Sequence, residues 1–81
     1  MNKTLIYTST AARNFSKLPE TVQEAILEAL RLYALTGEGN VKQMRGGLGL
    51  RMRIGDYRVI FDETNESITI ISAGNRKDVY R

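Results

Sequence analysis

The chain contains no cysteine and no histidine. The first absence excludes disulfides, thiol nucleophiles and thiolate metal sites; the second removes the commonest metal ligand and the one side chain that titrates, unperturbed, near neutrality. Any enzyme built from these residues must move protons with something else. Long apolar runs are missing too. None approaches the roughly 20 residues of a membrane span, and the N-terminus lacks the charged, apolar and small-residue sectors of a signal peptide. The expectation is a soluble cytoplasmic protein. With 81 residues, 42% of them apolar, the chain suits one domain over 1–81, a size that buries roughly 60% of the surface its unfolded chain exposes.

The formal charge is +3, and it is unevenly placed. Up to Asn40 the basic residues Lys3, Arg13, Lys17 and Arg31 are balanced by Glu20, Glu24, Glu28 and Glu38. The whole excess lies after Asn40, where six of the eight basic residues are arginine. Arginine's fixed fork of donors suits phosphate.

Lys3 to Tyr7 reads as a first strand. Ser9 or Thr10 offers an N-cap for a helix through Leu18. Pro19 suits the first position of a second helix, Glu20 favours the positive end of its dipole, and Val22, Ile26, Ala29, Leu30 and Tyr33 recur at helical spacing toward an end near Gly37. Gly37 to Gly49 is glycine-rich and basic without a clear period, and reads as a loop. From Leu48 the period becomes two, with Leu48, Leu50, Met52 and Ile54 alternating with Gly49, Arg51 and Arg53. Gly55-Asp56 then has the signature of a two-residue type II′ turn. The returning strand is Tyr57 to Asp62, Thr64 to Ser67 turns again, and a last strand covers Ile68 to Ala73. The expected fold is α+β, in the order β-α-α-β-β-β, with both helices on one face of a small antiparallel sheet.

A two-residue turn sets the pairing: Ile54 opposite Tyr57, Arg53 opposite Arg58, Met52 opposite Val59 and Leu50 opposite Phe61. Every apolar pair then falls on one face, and Arg51, Arg53 and Arg58 gather on the other. Like charges directly opposite each other cost stability. The cluster therefore suggests an anionic partner that supplies the missing charge; the plainer reading is a solvated outer face with arginine stems over Ile60. The tail Gly74 to Arg81 adds Arg76, Lys77, Tyr80 and Arg81. Folded back, it brings Arg76 and Tyr80 to the arginine face; otherwise Val79 and Tyr80 simply pack it down.

Three stretches carry a resemblance. They are Ser9 to Pro19 (S-T-A-A-R-N-F-S-K-L-P), the basic M-R-G-G leading into L-R-M-R-I-G-D-Y-R-V-I-F, and the closing G-N-R-K-D-V-Y-R. Over nearly its whole length the chain resembles toxins of bacterial toxin-antitoxin pairs in the RelE/ParE superfamily. The RelE-like branch implies a ribosome-dependent endoribonuclease that cuts messenger RNA in the A site and inhibits translation, with no metal or cofactor. The ParE-like branch implies a DNA gyrase inhibitor, and a non-catalytic nucleic-acid-binding module is a third possibility. The resemblance implies Arg58, Arg76, Tyr80 and Arg53 as catalytic residues, and Arg51, Arg45, Lys77 and Arg81 as RNA contacts. Asn75 stands where many relatives have histidine, and Arg51 and Arg53 where they often have lysine.

The implied chemistry is attack of a ribose 2′-hydroxyl on the adjacent phosphate, leaving a 2′,3′-cyclic phosphate and a 5′-hydroxyl. Arginine, with a pKa above about 12, is a poor base. Tyr80 is therefore the preferred group for the 2′-proton or for stacking on a base, with its phenol lowered by surrounding guanidinium groups. The implied partners are the ribosome, mRNA and a cognate antitoxin that masks the basic face and binds operator DNA.

Overall fold

The computed structural model describes residues 2–47 and 49–75. Its elements are β1 (Thr4–Tyr7), α1 (Ser9–Ser16), α2 (Glu20–Thr36), β2 (Val41–Gln43), a short 3-10 turn (Arg45–Gly47), β3 (Leu50–Ile54), β4 (Tyr57–Glu63) and β5 (Ser67–Asn75). They form one mixed five-stranded sheet in the order β1-β5-β4-β3-β2, with β1 parallel to β5 and the other pairs antiparallel. The α+β class and the helix–helix–meander order hold, while the sheet is mixed rather than antiparallel because β1 pairs with β5 in parallel.

Four local expectations shift. The cap of α1 is Thr8: its extended backbone lets Oγ1 accept the Ala11 N–H at 3.1 Å. The same hydroxyl donates to the Ile71 carbonyl at 2.9 Å, so one side chain both starts the helix and ties it to β5. Pro19 is the N-cap of α2, and its carbonyl accepts from Val22 and Gln23 at 3.0 Å. β2 occupies part of the stretch read as a loop, pairing Val41 with Met52 and Lys42 with Arg51. Three residues containing one apolar side chain carry no visible period. Finally, β5 runs past Ile68 to Ala73 at both ends, and a bulge opposite Ile60/Phe61 breaks its alternation. That extra residue is why Ile70 and Ile71 stand side by side in a period-two strand.

The core lies between the helices and one sheet face. Ile26, Leu30 and Ala34 of α2 meet Met52, Val59, Phe61, Ile68, Ile70 and Ala73 from the sheet, all buried. Tyr33 packs edge-on against Phe61, with ring centroids 5.5 Å apart. Full burial of each large side chain contributes about 1.5–3 kcal/mol.

A polar clamp ties three elements together at the far end of β4. Lys3 Nζ meets Glu63 Oε2 at 2.5 Å and donates to the Thr64 carbonyl at 2.7 Å, while the Tyr33 hydroxyl donates to Glu63 Oε1 at 2.7 Å. The Lys3 N–H also bonds the Ala34 carbonyl at 3.1 Å. β1, α2 and β4 are thereby linked around one carboxylate. Burial pushes the Tyr33 phenol up to about 12, and its hydrogen bond to Glu63 and that group's charge add to the rise. At Glu63 burial acts in the raising direction, but hydrogen bonds from Lys3 and Tyr33 and the Lys3 charge outweigh it and hold the carboxyl below its ordinary value.

Gly49 is sterically constrained. Its φ is +99°, and a Cβ there would lie 2.9 Å from both Asp62 Oδ1 and the Phe61 carbonyl oxygen. Its own carbonyl accepts the Met44 N–H at 2.9 Å, closing the loop between β2 and β3.

Gly49→Ala is expected to destabilise the protein by about 2–4 kcal/mol, from backbone strain and overpacking together, measured by urea denaturation. Adding Asp62→Ala should not restore stability, because the Phe61 carbonyl remains in the way. The clamp predicts a pH dependence. Tyr33's raised pKa gives a contribution fully present below pH ~10 and lost as pH rises through about 12. Glu63's lowered pKa gives one present above its ordinary pKa and lost as pH falls through the lowered value. Ultraviolet titration should show a phenol ionising near pH 12 that Tyr33→Phe removes; its persistence in that variant would refute the assignment.

Candidate nucleic-acid interface

The β3–β4 hairpin has the expected register: Ile54↔Tyr57, Arg53↔Arg58, Met52↔Val59, Arg51↔Ile60 and Leu50↔Phe61. Gly55 has a φ of +59°, as the first central residue of a type II′ turn requires. Met52, Val59 and Phe61 face the helices and are buried. By alternation, Arg51, Arg53 and Arg58 project from the opposite, helix-free face.

Pairing across the sheet sets these side chains in two adjacent rungs. One holds Arg53, Arg58 and Gly74; the other holds Lys42, Arg51, Ile60 and Ser72. Lys42 is a fourth cation in the group. Its place was invisible in the sequence because β2 had no readable period, although a basic residue flanked by Val41 and Gln43 was the one available signal. Arg53 and Lys42 are exposed; Arg51 and Arg58 are half-buried, and the Arg58 Nε is shielded from solvent. Opposite Arg58, Gly74 contributes no side chain. Among the described residues, no carboxylate is paired into either rung. Asp62 lies farther along β4 on the same face, next to Gly49, so the face is basic toward the hairpin turn and acidic toward the other end.

Ile60 is only 8% exposed although it lies on the helix-free face. Its partners across the strands are Arg51 and Ser72. The remaining site expectations divide in two. Arg45 is exposed in the 3-10 turn, beyond the Gln43↔Leu50 pair, and so stands off the two rungs. Arg76, Lys77, Tyr80 and Arg81 lie outside the described residues.

The assembled cations can hold and polarise a phosphodiester. Guanidinium groups supply planar paired donors to phosphate oxygens, and Lys42 adds a point charge. Proton transfer needs another group, since neither a guanidinium nor an exposed ammonium is a base at neutral pH.

No protein-family model matches the sequence, and no curated protein is similar to it. Solved structures are similar. The toxin-antitoxin complex RelBE2 of Mycobacterium tuberculosis contains a chain that superposes with a TM-score of 0.82 at 23% identity, covering 94% of this chain and 100% of that one. YafQ from Escherichia coli BL21(DE3) gives 0.79 at 7% identity, covering 99% and 100%. The intact RelBE toxin-antitoxin complex of E. coli gives 0.75 at 21% identity, covering 90% and 95%. The chain has the fold of the RelE-like toxins.

Arg53→Glu should replace a like-charge cross-strand pair with an opposite-charge one and stabilise the fold by about 0.2–1 kcal/mol in thermal melts. The same variant should bind single-stranded RNA more weakly and with a shallower salt dependence. A destabilised variant, or one with unchanged RNA affinity, would contradict the reading of this face as an anion site held at a cost in stability.

Proposed function

We propose that the chain is the toxin of a type II toxin-antitoxin pair and acts as a ribosome-dependent mRNA endoribonuclease. The observation that carries this reading is the Arg51, Arg53, Arg58 and Lys42 group on the helix-free face of a RelE-like fold. Arg51 and Arg53 orient the RNA backbone. Arg58, assisted by Arg76, stabilises the charge that develops on the phosphate oxygens as the ribose 2′-oxygen attacks phosphorus and the bond to the 5′-oxygen breaks. Tyr80 takes the 2′-proton or stacks on a base, and Arg45, Lys77 and Arg81 extend the contact with RNA. The leaving 5′-oxygen takes its proton from solvent water, because the described cluster holds only guanidinium and ammonium groups. The ribosome's contribution is therefore to align the message, which can replace a large part of the missing acid–base assistance.

A cognate antitoxin is the expected partner: the structurally similar RelBE chains come from complexes with one. The same fold and cations are compatible with inhibition of gyrase, which would require an acidic protein surface in place of RNA.

Mapping of transcript 5′ ends after induced expression tests the reading. Cuts inside translated codons are expected, and Arg58→Ala should lower their rate by about 10²–10³. Wild-type cutting by Arg58→Ala would remove Arg58 from the mechanism. A fall in supercoiling with translation intact would replace the ribonuclease by the gyrase inhibitor, and RNA binding without products would leave a binding module.

A further inference from the structure

β1 stops at Tyr7, opposite Ile70, so among the described residues no strand covers the outer edge of β5 from Ile71 onward. That half of β5 flanks the cation cluster: Ser72 pairs with Ile60 in one rung and Gly74 with Arg58 in the other. The segment that takes the place of β1 is the start of α1. The Thr8 N–H donates to the Ile70 carbonyl at 3.0 Å, and the Thr8 hydroxyl donates to the Ile71 carbonyl at 2.9 Å. In a regular strand successive carbonyls point to opposite edges. Two in a row turned to the same edge accompany the bulge, and Thr8 binds both. Farther along α1, Asn14 Oδ1 accepts the Ala73 N–H at 3.1 Å.

The Ala73 N–H faces α1, so the N–H groups of Ser72 and Gly74 face β4, and Gly74 forms a hydrogen-bonded pair with Arg58. Without the bulge, Ala73 would stand opposite Arg58, and Ser72 would join Val59 in the core. Burial of Ala73 in place of Ser72 selects the bulged register; the bonds from Thr8 and Asn14 fix the strand within it. Ala73 is only 5% exposed, so an N–H deprived of Asn14 would be left unmade in a buried place, which is costly.

We propose that Thr8 and Asn14 are positioning residues for the cation cluster: bonded to the outer edge of β5, they hold the segment that pairs with Arg58 and thereby keep Arg58 in place. Both act through the backbone of β5. On the ribonuclease reading, Arg58 meets the charge that develops in the transition state, while Arg51, Arg53 and Lys42, carried by β3 and β2, hold the RNA backbone. Loosening β5 therefore lowers kcat and leaves KM unchanged. The inference rests on that reading for its effect on rate, and on the hydrogen bonds alone for its effect on the strand.

Thr8→Asp separates the two roles of this side chain. A carboxylate still caps α1, since aspartate is at least as good a cap as threonine, but it has no proton for the Ile71 carbonyl. Amide hydrogen exchange in this variant is expected to lose protection at Ser72 and Gly74 by roughly 2- to 10-fold, while Leu30, in α2, changes less. In cutting on programmed ribosomes, kcat should fall by about 10–10²-fold at constant KM. Thr8→Ser, which keeps both bonds, should match wild type. Asn14→Ala should share the behaviour of Thr8→Asp, and Asn14→Asp, which keeps the acceptor for Ala73, should not. A role confined to capping α1 would leave Thr8→Asp at wild-type kcat. Wild-type exchange and kcat in Thr8→Asp would overturn the proposal, as would lost protection without a fall in kcat, or a Thr8→Ser variant as impaired as Thr8→Asp. If the wild-type protein cuts no message, the ribonuclease reading fails, and exchange at Gly74 decides by itself whether Thr8 positions the Arg58 rung.

Discussion

The register of the β3–β4 hairpin is the constraint on which the rest of the molecule depends. Arg53 stands opposite Arg58 because a two-residue turn at Gly55-Asp56 permits one pairing, and that pairing also puts Met52, Val59 and Phe61 against the helices. A slip of one residue would expose those three side chains and drive arginines toward the core. The magnitudes decide the matter: burying three large apolar groups contributes several kcal/mol, while the like-charge pair costs about 0.2–1 kcal/mol. The arginines are held together as a by-product of core burial, which outweighs the like-charge cost of the Arg53–Arg58 pair.

β4 carries this constraint across the molecule. At one end it supplies Glu63 to the clamp that joins β1 and α2, and at the other it supplies Arg58 to the cation group. The bulge opposite Ile60/Phe61 lets β5 follow β4 while Ile70 and Ala73 both stay in the core. Without that extra residue, one of the two would face outward. The placement of Gly74 beside Arg58 follows from the same shift.

Fold and chemistry carry different weight here. Chains sharing 7% to 23% of their residues with this one have the same architecture, so the fold places few demands on residue identity. The proposed chemistry would place many: four cations must share two rungs, and the acid–base gap left by the absence of histidine must be filled by other means. On the ribonuclease reading, a site made of guanidinium groups would work through field and position and would gain from a partner that aligns the substrate.

Much of this was legible in the residues, for reasons that can be named. The alternation from Leu50 to Ile54 and the Gly55-Asp56 pair dictate a hairpin, its register and its arginine face, because a period of two and a two-residue turn leave one solution. Helical spacing dictates α2 in the same way, with Ile26, Leu30 and Ala34 returning to one side each turn. The part played by Lys42 was not legible: β2 is three residues long and is a strand only because β3 offers it an edge. The Thr8 cap was not either, since Thr8, Ser9 and Thr10 are chemically alike and the contact with Ile71 that selects the first is long-range. Nor was the bond from Ala73 to Asn14, which joins residues 59 positions apart in the chain. Local pattern sets what each segment becomes; the meeting of distant segments, settled by packing, sets which of their polar groups share a site.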